Sequence, residues 1–147
     1  MENKSLLTDV LSVLVPASLS NFNLVSVTEH PTYIEFRMEE KAELIPSSLV
    51  GKTNIVLDGF CNPVELQSFL LKDKPVYFKV YRRRWRESSF KVHHSNQYNL
   101  HPSGVKATFE FASFLKMKLD KHLGNITPFG DSLLIDNQKL WRWYHDH

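Results

Sequence analysis

The chain has 147 residues and a formal net charge of +2, enough for one domain, or two very small ones, with a buried core. Hydrophobic residues make up 42% and charged residues 23%, the proportions of a soluble globular protein rather than a disordered or fibrous one. No apolar run approaches the roughly 20 residues of a membrane-spanning helix, and the single cysteine, Cys61, excludes an internal disulfide and any cysteine-rich zinc site.

The opening residues, Met1-Glu2-Asn3-Lys4-Ser5, lack the basic segment and apolar core of a secretory signal. The expected location is cytoplasmic, with no membrane partner. Leu6, Leu7, Val10, Leu11 and Leu14 recur at helical spacing up to Pro16, which predicts an amphipathic helix over residues 3–15. Residues 23–29 and 33–39 read as a hairpin around His30-Pro31-Thr32. In the second strand Ile34, Phe36 and Met38 alternate with Tyr33, Glu35, Arg37 and Glu39, the period of a half-buried strand. Residues 40–52 carry a charge run, Pro46 and Gly51, and read as a loop.

Three more strands are predicted at 54–60, 64–70 and 76–86, with Lys72-Asp73-Lys74-Pro75 as the turn before the last. Residues 87–104 are polar, with one short strand near Tyr98. Thr108 is the predicted cap of a helix over 109–121, ended by Leu123-Gly124-Asn125. A short segment at 130–134 then leads to Asp136, the cap of a final helix over 137–145. The implied fold class is α+β: an N-terminal helix, a small, mostly antiparallel sheet, and C-terminal helices resembling a helix-turn-helix. Residues 1–104 form the α+β, basic-strand domain and residues 105–147 the helical segment.

The charge is unevenly spread. Residues 72–91 hold eight bases against Asp73 and Glu87, a local net charge of +6, whereas residues 1–71 hold four bases against nine acids. Four of the bases lie in Tyr81-Arg82-Arg83-Arg84-Trp85-Arg86. A guanidinium binds phosphate oxygens bidentately and stays charged, and aromatic rings between the arginines offer stacking surfaces. Lys79, Arg82, Arg83, Arg84, Trp85 and Arg86 are therefore candidates for nucleic-acid contact. The rival reading is a solvated edge strand whose charges block edge-to-edge pairing. Arg82, Arg84 and Arg86 continue the inward phase of Val76, Phe78 and Val80, so the strand is expected to leave its sheet or to bulge near Tyr81.

In the final helix, Leu140, Trp143 and Tyr144 share one face, which leaves Asn137, Gln138, Lys139, Trp141 and Arg142 outward. Asn, Gln and Arg read base edges in the major groove; the alternative is a plain packing helix with a polar face. His93, His94 and His101 with Cys61 have zinc-ligand chemistry, but in the spacing of no finger or ribbon. No metal or cofactor is expected. There is no Gly-rich phosphate loop, H-E-x-x-H or G-x-S-x-G, and no catalytic residue is assigned.

Three segments in this order resemble a known family. They are Lys74-Pro75-Val76-Tyr77-Phe78-Lys79-Val80-Tyr81-Arg82-Arg83-Arg84-Trp85-Arg86, Ala107-Thr108-Phe109-Glu110-Phe111-Ala112-Ser113-Phe114-Leu115-Lys116, and residues 138–147 around Leu140-Trp141-Arg142-Trp143-Tyr144. Together with the opening Glu2-Asn3-Lys4-Ser5-Leu6-Leu7 they look like the N-terminal region of bacterial insertion-sequence transposases. The resemblance implies a DNA-binding region that recognises terminal inverted repeats and precedes a DDE catalytic domain. One related branch has a cysteine zinc ribbon ahead of its arginine strand; the cysteine pairs are missing here, which implies a ribbon-like region without zinc. The chain stops at His147, so the resemblance implies a truncated region or a short first reading frame, itself not an enzyme, with a separately encoded catalytic subunit or a second copy as partner. The rival readings are a protein-interaction module for assembly with such a subunit, and an RNA-binding module using the face of Tyr81 and Trp85.

Overall fold

The alternating run Ile34-Glu35-Phe36-Arg37-Met38 forms an inner strand in a computed structural model that describes Leu6, Asp9, Val10, residues 13–122, Ile135, Lys139, Arg142 and Trp143. Strand β1 (Phe22–Glu29) pairs antiparallel with β2 (Ile34–Glu40). Then come β3 (Ile55–Phe60), β4 (Val64–Leu71), β5 (Lys74–Tyr81), β6 (Arg83–Glu87) and one helix, α1 (Phe109–His122). The first sheet has the order β1-β2-β5-β4, and the second pairs β3 with β6.

The α+β expectation is corrected by this layout. Among the described residues the protein is mostly β, with six strands in two sheets, one helix whose two ends are both described and the 3-10 turns Ala17–Leu19 and Ser47–Leu49. One physical reason lies in the basic run. The run expected as one strand over 76–86 supplies two strands to two different sheets. Of the helix expected over 3–15, the described residues Leu6, Asp9, Val10, Val13 and Leu14 are helical, with Leu6, Val10 and Val13 exposed, and the rest lies outside the described residues. The predicted helix-turn-helix falls almost wholly outside the described residues. The strand pairing is mostly antiparallel, as expected, with β2 and β5 paired in parallel.

Period-2 alternation builds the core. Ile34, Phe36 and Met38 of β2 lie beside Val76, Phe78 and Val80 of β5, with Leu66 of β4 on the far side. Leu19, Phe22 and Leu100 belong to the same buried cluster. Phe36 and Phe78 are Cα partners and meet edge to face, with centroids 5.0 Å apart. Strand β5 is set in place by its hairpin with β4, whose two turn residues, Lys72 and Asp73, both have positive φ (54° and 60°). This is the mirror-image geometry that matches strand twist in two-residue hairpins.

A second cluster gathers Val105, Ala107, Phe111, Leu115, Leu119, Ile135 and Trp143. Thr108 caps α1 as expected, its Oγ1 accepting the Phe111 N–H at 3.2 Å. Glu110 in the first turn accepts the Ser18 N–H at 3.1 Å and the Ser18 hydroxyl at 2.7 Å. Just before the helix the chain lies along the outer edge of β4. Gln67 donates its N–H to Lys106 O, and Gln67 O accepts the Thr108 N–H. The strand expected near Tyr98 does not form; His94 instead makes a lone bridge with Trp85. Among the described residues no helix is long and apolar enough to cross a membrane.

Candidate nucleic-acid interface

Continuing the alternation of β5 past Val80 would drive the Arg82 side chain under the core, at the cost of an unpaired buried charge. The chain avoids this at Arg82 itself. Arg82 O accepts the Cys61 N–H at 2.9 Å, and the residues that follow pair with β3 in the second sheet. The basic segment is thus the junction between the sheets, and the expected exit of the strand near Tyr81 is met by a change of sheet.

The four arginines are half-buried, and each leans on a main-chain carbonyl. Arg82 donates Nη1 to Asn96 O at 2.9 Å and to Ser95 Oγ at 3.3 Å. Arg83 donates Nε to Glu40 O at 2.7 Å, with the Glu39 carboxylate at 4.0 Å. Arg84 donates Nε to Asp58 O at 2.8 Å. Arg86 donates Nη1 to Ser88 O at 3.0 Å and has its Nε 3.4 Å from the Asp58 carboxylate. Among the described residues Arg82 and Arg84 have no carboxylate within 4.0 Å. A carbonyl orients a guanidinium without cancelling its charge.

A cation–aromatic stack covers the junction. The Arg37 guanidinium lies 3.9 Å over Tyr81, the Arg83 guanidinium lies 5.1 Å over Phe60, and Phe60 meets Tyr81 edge to face at 5.8 Å. The other candidates on this stretch are placed differently. Lys79 points from the outer face of the first sheet to Glu35 at 3.2 Å, and this pairing holds its ammonium above the usual lysine range. Trp85 is only 6% exposed, so its ring is part of the packing and is not open to a base.

Glu40 holds the junction together, and sequence reading placed it in a loop. It follows Ile34, Phe36 and Met38 in the inward phase of β2 and is fully buried. That phase is the signal that marks it. Its carboxylate accepts the Arg83 N–H at 2.8 Å, Asn96 Nδ2 at 2.9 Å and the Tyr98 hydroxyl. Asn96 also donates to Leu44 O at 2.7 Å. The loop that follows β2 and the loop that follows β6 are thereby tied to the same carboxylate.

Burial first, and then the hydrogen bond to Glu40, push the Tyr98 phenol well above its ordinary value of 10.0. The folded protein keeps this phenol protonated where the unfolded chain ionises. Stability is therefore at its full value below pH 10.0 and falls as pH rises above it. Burial also raises Tyr77, so the alkaline loss has two contributors. Tyr98→Phe should weaken the fold at neutral pH and flatten the alkaline loss seen by circular dichroism. An alkaline slope identical to that of the wild type would refute the role given to Tyr98.

Asp58 sits beside Arg84, Arg86 and His93. The hydrogen bond to His93 chiefly, with the Arg86 and Arg84 charges adding to it, holds its carboxyl below the usual 3.8. The histidines with zinc-ligand chemistry are not brought together with Cys61. His93 faces Asp58, His94 Nδ1 is 2.8 Å from Ser48 Oγ, and His101 Nδ1 donates to Pro102 O at 2.8 Å. Among the described residues no group of three His, Cys, Asp or Glu is arranged to hold a metal ion. Of the final-helix candidates, Asn137, Gln138 and Trp141 lie outside the described residues. Arg142 is exposed, and Lys139 Nζ lies 4.8 Å over the ring of Trp143. Comparison with protein-family models, with curated proteins and with solved structures finds no match.

Proposed function

We propose that this chain binds double-stranded DNA through the basic junction between β5 and β6, in the manner of an insertion-sequence transposase N-terminal region or accessory subunit at terminal inverted repeats. The observation that carries the reading is the way Arg82, Arg83 and Arg84 are held. Each donates to a main-chain carbonyl, so the guanidinium is ordered in advance while most of its charge and several of its N–H groups remain for a ligand. Pre-ordering lowers the entropy cost of binding, and phosphate contact supplies most of the affinity of such proteins. The likeness of three segments to the transposase N-terminal region supports duplex DNA as the ligand. Stacking of single-stranded bases is less favoured, because Trp85 is buried and Arg37 covers Tyr81.

A filter-binding titration with inverted-repeat duplex over a range of salt tests the reading. Affinity should fall steeply with salt. Replacing Arg82, Arg83, Arg84 and Arg86 by glutamine should lower the log–log slope by about 0.9 for each phosphate no longer neutralised. Absent or salt-independent binding by the wild type would overturn the proposal.

A further inference from the structure

Strands β3 and β6 lose register between Leu57 and Phe60. At this irregularity Gly59 has φ +77°, a conformation that glycine adopts without steric cost. The Arg84 guanidinium lies along it, with Nη2 only 3.6 Å from where a Cβ would stand. The distortion turns Asp58 toward β6. Its carbonyl takes Arg84 Nε at 2.8 Å, and its carboxylate lies 2.5 Å from His93 Nε2 and 3.4 Å from Arg86 Nε. The Asp58 carboxylate therefore faces one guanidinium and an imidazole while its carbonyl holds a second guanidinium, and the group stays net positive with His93 in either protonation state. The Asp58, Arg86 and His93 side chains are 37%, 32% and 40% exposed, so a ligand from solvent can reach them.

We propose that Arg84, Arg86 and His93 form a phosphate-binding site in which Asp58 is the resident counter-ion, displaced from Arg86 and His93 by a backbone phosphate of bound DNA. A phosphate offers the same anionic oxygens to the same donors as a carboxylate, with more charge-assisted hydrogen bonds to make. Asp58 marks where the anion sits. It also keeps the donors oriented when no ligand is bound, and it sets a threshold that weaker anions do not pass. The identity of the phosphate as DNA rests on the function proposed above; the site itself rests on the geometry of the β3 irregularity. The sequence does not mark Asp58 and His93 as partners, because 35 residues separate them.

Nuclear magnetic resonance of the His93 ring separates the phosphate site from its DNA ligand. Inorganic pyrophosphate and inverted-repeat duplex are each titrated into the wild type, Asp58→Asn and Arg86→Gln. Both ligands should shift the His93 ring signals of the wild type. Asp58→Asn should bind each about two- to five-fold more tightly, the size of one exposed ion pair no longer displaced. Arg86→Gln should weaken both and reduce the salt slope on duplex by about 0.9. Duplex binding that leaves His93 unmoved, with unchanged affinity in Asp58→Asn, overturns the site and leaves the DNA reading standing. A His93 response to pyrophosphate in a protein that ignores duplex overturns the DNA reading and leaves the phosphate site standing. No response to either ligand overturns both.

Discussion

Replacing Glu40 with alanine should lower the unfolding free energy by about 3–5 kcal/mol, the range for removing one member of a buried charged network. The carboxylate is fully buried and accepts from three donors, the Arg83 N–H, Asn96 Nδ2 and the Tyr98 hydroxyl. Alanine removes the acceptor of the Arg83 N–H and the Tyr98 hydroxyl and leaves Asn96 Nδ2 only Leu44 O, and each orphaned group costs roughly 1–3 kcal/mol. Glu40→Gln keeps the volume and one accepting oxygen, but its NH2 must face either the Arg83 N–H or the Asn96 and Tyr98 donors, so it should recover only part of the loss. In urea unfolding the midpoint should fall with an unchanged m-value. A loss below about 1 kcal/mol, the worth of a single ordinary hydrogen bond, would show that the donors find other partners. The same variant should loosen Arg83, whose Nε is held by Glu40 O. The stability of the junction and the order of the basic segment are thus tied to one side chain.

Phe78→Ala should cost about 3–5 kcal/mol, the usual range for emptying a buried aromatic position. Phe78 is 1% exposed, lies between Phe36 and Leu66 on the two flanking strands, and meets the Phe36 ring at 5.0 Å. An open groove of about 290 Å³ lined in part by Phe36, Val76 and Phe78 already adjoins it. Truncation enlarges a void that the sheet cannot close, because β5 is hydrogen-bonded on both sides. At roughly 2–4 °C per kcal/mol for a domain near this size, thermal unfolding should begin some 6–20 °C lower. Phe90 offers the contrast. It is 58% exposed, and Phe90→Ala should stay within about 0.5 kcal/mol of the wild type, as surface changes do. Equal losses at the two positions would contradict the placement of the core.

The alternation of Ile34, Phe36 and Met38, and that of Val76, Phe78 and Val80, is visible in the chain and fixes which side chains face inward. Strand cores are filled by such period-2 sets. The conflict between that phase and Arg82, Arg84 and Arg86 is equally visible, and it locates the point where the chain changes sheet. Thr108 as a helix cap follows from the same kind of local chemistry. Glu40 escapes because a carboxylate beside Glu39 and Lys41 reads as a charged loop, although its phase places it inside. Of the helix expected over 3–15, Leu6, Asp9, Val10, Val13 and Leu14 are helical, and the periodicity that marks them does not state what covers their apolar stripe.

The inward and outward faces of the strands, the cap of α1 and the concentration of positive charge in residues 72–91 are all written in the chain. These depend on neighbours one to four residues away. Folding in three dimensions is what pairs β2 with β5 in parallel, joins β6 to β3 rather than continuing β5, and brings Asp58 and His93 to the arginines of β6. Those arrangements depend on contacts between residues tens of positions apart. Their energies come from burial and hydrogen bonding that no local pattern records.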